Sequence, residues 1–264
     1  MTDKAEIDAL VRESGNSFHC KVINFFKEKG WTTLVSPYYM DGATNKPREI
    51  DLVVERSWTY GSPYGFPGGE YGAVIIKLFV ECKFIAQPNV FWFSGRNIDS
   101  ARKWVATHTP LRQENGFMGF IDKHHYLASN PKVAKLFASK NKANIENEVM
   151  YKALNQSLNA MVYLRRQGSI LRDQEMKGLR TLASVTMPVI ICDKFDDFYR
   201  VEMESPDEPK KIDANFQLEV NYAYLNHEGE HKTEYFLIDV IDFSKLEKFL
   251  TVLDADIDAI FEVL

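Results

Sequence analysis

The chain has 264 residues, of which 45% are hydrophobic, 26% charged and 13% aromatic, with 14 Gly and 10 Pro. This is the composition of a globular protein whose core needs no disulfide or metal staple, and it excludes collagen-like and low-complexity chains. The formal charge of −5 gives no overall basicity, and no apolar run approaches the roughly 20 residues of a membrane helix.

In chain order, the three- and four-residue spacing of Ile7, Leu10, Val11, Phe18, Val22, Phe25 and Phe26 predicts a helix over 5–29 that ends at Gly30. Trp31 to Tyr39 reads as a strand and Asp41-Gly42 as a turn. Arg48 to Arg56 reads as a second strand, with Ile50, Leu52 and Val54 on one face and Glu49, Asp51 and Glu55 on the other. A Gly- and Pro-rich loop over 60–72 leads to the clearest alternation in the chain, a strand over 73–84. Its Val74, Ile76, Leu78, Val80, Cys82 and Phe84 face the core, and Ile75, Lys77, Phe79, Glu81 and Lys83 face away.

Residues 86–143 read as an insertion of short helices and loops, followed by a long helix over 145–166. Strands are expected at 185–192 and 198–203, then a polar connector over 205–214 and a hairpin from Phe216 to Val240. Last comes a helix whose Ser244 and Glu247 form a capping box. The fold class is therefore α/β. Its expected organisation is a core over 1–192 that includes the insertion, and an acidic hairpin-plus-helix extension over 193–264. The N-terminus lacks the basic and apolar regions of a secretory signal. Cys20, Cys82 and Cys192 are odd in number and widely separated, so a cytoplasmic protein with reduced core thiols is expected.

Charge is segregated. Residues 88–143 hold nine Lys/Arg against three Asp/Glu, and residues 193–264 hold seven against nineteen. A basic segment that also carries Phe91, Trp92, Phe93, Trp104 and His108 suits a polyanion with stacking bases. Its Arg96, Arg102, Lys103 and Arg112 are the candidate nucleic-acid contacts.

The triplet Glu-x-Lys occurs four times, so the pattern alone means little. Only Glu81/Lys83 lies in a strand with a wholly apolar opposite face, and Asp51 occupies the corresponding face of the strand before it. If the two strands pair, two carboxylates and an ammonium converge. Two carboxylates offer the oxygen ligands that Mg²⁺ requires. A cation held there polarises a phosphate and acidifies water, and a neighbouring lysine stabilises developing negative charge. The adjacent pair His124-His125 is given no role, since neighbouring residues point apart and no carboxylate cluster accompanies them in the sequence.

The stretches Pro47-Arg48-Glu49-Ile50-Asp51-Leu52-Val53-Val54-Glu55 and Leu78-Phe79-Val80-Glu81-Cys82-Lys83-Phe84, with a helix before and a helix after, resemble the PD-(D/E)xK nuclease superfamily. The resemblance implies a restriction endonuclease-like αβββαβ core with a mixed central sheet over roughly 1–192. It also implies Asp51 and Glu81 as metal ligands, Lys83 as the catalytic lysine, Mg²⁺ (or Mn²⁺) as cofactor and DNA as substrate. A role in restriction or phage defence, and a homodimer where both strands of a duplex are cut, would follow. Several branches place a glutamate in the first helix, where this chain has His19 within Gly15-Asn16-Ser17-Phe18-His19. His19, the reserve carboxylate Glu49 and Gln156 of the later helix are therefore accessory candidates. The alternative is a catalytically inactive member of the fold that acts as a nucleic-acid-binding or protein-interaction subunit. An unrelated α/β protein with an acidic interaction surface is a third.

Overall fold

The computed structural model describes residues 4–13, 15–42, 44–60, 72–111, 121–128, 130–139, 148–171, 180–226 and 229–262. Arg112 lies outside them. Two helices open the chain, α1 (Lys4–Glu13) and α2 (Asn16–Glu28), where the periodicity predicted one. They part at Gly15, whose φ of 74° is open to glycine and costly for other residues. As expected, α2 stops at Gly30 (φ 77°), where the Trp31 N–H returns to the Phe26 carbonyl at 2.9 Å.

The strands are β1 (Thr32–Val35), β2 (Tyr38–Asp41), β3 (Lys46–Glu49), β4 (Leu52–Tyr60), β5 (Gly72–Lys83), β6 (Asn89–Gly95), β7 (Lys132–Ser139), β8 (Arg180–Cys192), β9 (Phe198–Glu202), β10 (Ser205–Lys211), β11 (Phe216–Leu225) and β12 (His231–Asp242). Helices α3 (Ile98–His108), α4 (His125–Ala128), α5 (Glu148–Leu164) and α6 (Leu246–Phe261), with a 3-10 turn over Phe243–Lys245, complete the described elements. Ten strands form one mixed sheet in the order β1-β4-β5-β8-β12-β11-β7-β6-β9-β10, and β2 and β3 pair separately. The fold is α/β, and no helix among the described residues is long and apolar enough to cross a membrane.

Both strands expected at 31–39 and 48–56 are broken. The antiparallel pair β1/β4 stays in the large sheet, whereas its continuation β2/β3 bends away. Two hydrogen bonds hold the corner, from Ser36 N to the Asp51 carbonyl at 2.9 Å and from Ile50 N to the Pro37 carbonyl at 3.2 Å. Ser36 sits there at φ 53°, a left-handed conformation that a non-glycine residue holds only when its surroundings demand it. Asp51 therefore stands on a corner rather than within a strand. The alternation expected to put Glu49 on its face does not continue through the break.

Strand β5 pairs antiparallel with β4 from Leu52↔Val80 to Tyr60↔Gly72 and parallel with β8 from Gly72↔Arg180 to Lys83↔Cys192. Both its faces are covered, which corrects the expectation of an outward face. Val74, Ile76, Leu78, Val80 and Cys82 join the core beneath α2, α3 and α6. Phe79, on the other side, packs with Met150, Leu154 and Leu158 of α5, and Ser157 Oγ donates to the Phe79 carbonyl at 2.9 Å. Charged residues survive on the second face because they are paired: Lys77 Nζ lies 2.9 Å from Glu55 Oε1, both side chains being buried.

The insertion contributes strands β6 and β7 to the far side of the sheet, and the expected polar connector is strand β10. The hairpin β11/β12 forms as predicted, and β12 lies parallel against β8, so strands β9 to β12 share one sheet with the strands before them. The expected capping box is absent. Asp242 instead accepts hydrogen bonds from Ser244 N and Oγ, while Glu247 pairs with Lys29. Cys82 and Cys192 are buried thiols, but Cys20 is exposed.

Candidate active site

Strands β5, β8 and β12 run parallel and end together, and carboxyl ends of parallel strands are where open α/β sheets place ligands. Asp51, Glu81 and Lys83 meet at that end. The register Leu52↔Val80 carries the corner residue Asp51 alongside Glu81, and the two are locked reciprocally. Glu81 Oε1 accepts from Asp51 N at 3.3 Å, and Asp51 Oδ2 accepts from Cys82 N at 2.7 Å. Lys83 Nζ donates to Glu81 Oε2 at 2.6 Å. The expected convergence of two carboxylates and one ammonium is present, with backbone N–H groups fixing both carboxylates and Glu81 fixing the ammonium.

Accessibility is graded. Glu81 is completely buried, whereas the side chains of Asp51 and Lys83 keep 17% and 18% of their exposure. Burial pushes the Glu81 carboxyl up to about 8, and the nearby Asp51 adds to this, although the Lys83 ammonium opposes both. Burial also works against a charged Lys83, but the Glu81 and Asp51 carboxylates outweigh it and hold the ammonium above its ordinary value. The site thus combines a partly exposed Asp51 carboxylate with a buried Glu81 whose charge is supported by the Lys83 ammonium.

Of the accessory candidates, His19 joins the site, with Nε2 3.5 Å from Asp51 Oδ2 and about a third of its side chain exposed. Ligand atoms of His19, Asp51 and Cys82 lie within 4.8 Å of one another. Glu49 stands beyond the corner, paired with Tyr38. Gln156 donates to the Glu49 carbonyl at 3.3 Å and so fastens α5 to β3. Tyr39, which the sequence reading did not single out, is buried beside Glu81. Burial, then the carboxylates of Glu81 and Asp41, keep its phenol neutral well above the usual range. No local pattern marks it, since Tyr38 and Met40 on either side are also apolar.

The candidate nucleic-acid residues divide. Arg96 is buried and donates to the Asn130 carbonyl and to Gln217 Oε1, both at 2.7 Å, which takes it out of surface contact. Arg102 is exposed and pairs with Asp122, Lys103 is exposed on α3, and α3 packs against β12. Phe91, Phe93 and Trp104 are core residues rather than stacking surfaces, for the alternation along β6 turns both Phe rings inward.

The largest surprise is the pair His124-His125. The rings stack at 4.8 Å, and carboxylates from two distant elements reach them. His125 Nδ1 bonds Asp256 of α6, Nε2 lies 3.1 Å from Asp239 of β12, and its N–H donates to Asp256 Oδ1 at 2.8 Å. With a carboxylate at each ring nitrogen, His125 is an imidazolium. Burial disfavours this charge, but Asp256 and Asp239 outweigh it and raise the group to about 10. His124 goes the other way, down to about 4, because its burial is complete. Its Nδ1 accepts from Tyr126 N at 3.1 Å.

No protein-family model, curated protein or solved structure matches the chain.

Proposed function

We propose that the chain is a metal-dependent endonuclease that hydrolyses phosphodiester bonds in DNA, built on a restriction endonuclease-like core. The observation that carries the reading is the interlocked trio of Asp51, Glu81 and Lys83 at the open end of the sheet. The succession α2, β1, β4, β5, α5, β8, with its four strands adjacent in the sheet, supports it, being the order of elements that the sequence resemblance implies.

Asp51 and Glu81 fit a divalent cation. Each carboxylate accepts hydrogen bonds that fix its direction yet leaves lone pairs unused, and Asp51 keeps part of its exposure. A bound cation would polarise the scissile phosphate and acidify an attacking water. The protein's own part is positioning and charge. The Cys82 N–H aims the Asp51 carboxylate, and the Asp51 N–H and Lys83 ammonium hold Glu81 at the floor. Lys83, anchored by Glu81, presents its remaining N–H bonds to the phosphate oxygens on which charge accumulates. Of the four candidate contacts, Arg102 and Lys103 are the described ones left to reach the nucleic-acid backbone.

Incubation of supercoiled plasmid with the protein and Mg²⁺ or Mn²⁺ tests the reading. Nicking or linearisation, abolished separately by Asp51→Asn and Lys83→Ala, is the expected result. DNA binding without cleavage under either metal would instead identify a non-catalytic binding subunit, and the absence of salt-dependent DNA binding would remove nucleic acid altogether.

A further inference from the structure

We infer that His19 is a ligand of this site and that it tunes the site to a first-row transition-metal dication in preference to Mg²⁺. The inference rests on the nuclease reading for the use of the cation, but its geometry stands independently. His19 lies on α2, immediately after the buried Phe18 that anchors the helix to the core, so the helix delivers the imidazole to the site as a fixed group. Its Nε2 faces Asp51 Oδ2 at 3.5 Å, a separation at which two donors can share one ion, and its partial exposure leaves the approach open. The Cys82 sulfur completes a cluster of ligand atoms all within 4.8 Å of one another. That sulfur is buried, whereas the imidazole keeps about a third of its exposure, so imidazole is the accessible donor that distinguishes the set.

Ligand chemistry supplies the selectivity. Mg²⁺ is small and hard, takes oxygen ligands in near-ideal octahedra and keeps much of its water. Imidazole nitrogen favours later first-row dications, whose affinity for such donors rises along the series from Mn²⁺ through Co²⁺. An all-carboxylate site would lack this bias. Here one nitrogen stands beside Asp51, and the helix that carries it is rigidly docked through Phe18, Val22 and Phe26.

The test is calorimetric titration of the full chain, without nucleic acid, using Mg²⁺, Mn²⁺ and Co²⁺ as probes. It would cover wild type, His19→Glu, His19→Ala and Cys82→Ser, with circular dichroism confirming the fold. The wild-type Co²⁺/Mg²⁺ affinity ratio is expected to fall by about tenfold or more in His19→Glu and His19→Ala, with His19→Glu regaining Mg²⁺ affinity and Cys82→Ser keeping the wild-type ratio. A ratio unchanged by both His19 substitutions overturns the inference, as does a loss of preference confined to Cys82→Ser. If the ratio responds as expected but plasmid is not cleaved with any of the three metals, the metal assignment stands and the nuclease reading falls. Failure of all three ions to bind refutes both.

Discussion

Replacing His125 by Gln removes the only cation that two buried carboxylates share within hydrogen-bonding reach among the described residues. Asp239 and Asp256 are 4% and 2% exposed, so neither can turn to water without local unfolding. Breaking a buried pair by deleting one partner costs about 3–5 kcal/mol. For a chain of this size, where 1 kcal/mol moves the midpoint by about 2–4 °C, the melting temperature should drop by roughly 6–20 °C. The loss has a pH signature. The folded-state value of His125 is raised from 6.5 to about 10, so its contribution is complete below 6.5 and fades as pH rises through about 10. Differential scanning calorimetry of wild type and His125→Gln near pH 6 and near pH 10 should show a wide gap at the lower pH and a narrow one at the higher. A gap that is equal at both pH values, or smaller than about 3 °C near pH 6, would refute the imidazolium bridge.

Further outcomes follow from other parts of the structure. Lys83→Met should lower the cleavage rate by about 10²–10³-fold with little change in DNA affinity, measured by single-turnover cleavage alongside equilibrium binding. Because Lys77 and Glu55 are buried together, Lys77→Met should cost about 3 kcal/mol in urea denaturation, and the double change to Met and Gln should recover part of it. Arg96→Ala should reduce stability and leave DNA affinity intact, whereas Lys103→Glu should weaken DNA binding and flatten its salt dependence, both read by fluorescence anisotropy across a salt series. Gly30→Ala, at φ 77°, should destabilise by about 1 kcal/mol, seen as a lower denaturant midpoint with an unchanged slope.

Much of the site was legible because its two acidic strands are adjacent. The alternation over 73–84 located β5, its pairing with β4 followed, and Glu81 and Lys83 share a face by simple i, i+2 geometry. The corner at Asp51 was hidden, since it depends on hydrogen bonds to Ser36 and Pro37 that no local pattern announces. Burial of both faces of β5 was misread for a related reason: Lys77, Glu81 and Lys83 look solvent-facing in a list of letters, and only the partners Glu55 and Asp51 make them tolerable inside. Strand β6 is hard to read because the run Val90-Phe91-Trp92-Phe93 is apolar throughout and shows no period. His124-His125 looked isolated since Asp239 and Asp256 stand 114 and 131 residues from His125.

At the edge opposite β1, strand β10 has one long side without a neighbouring strand among the described residues, the kind of border on which foreign chains can add and aggregates can seed. Its sequence Ser205-Pro206-Asp207-Glu208-Pro209-Lys210-Lys211 withholds an amide donor at two of seven places, and its pairing with β9 slips between Ser205 and Lys210. A guest strand would find an irregular, charge-bearing rim. The same prolines and lysines that made this segment look like a connector equip a ten-stranded sheet to end in water.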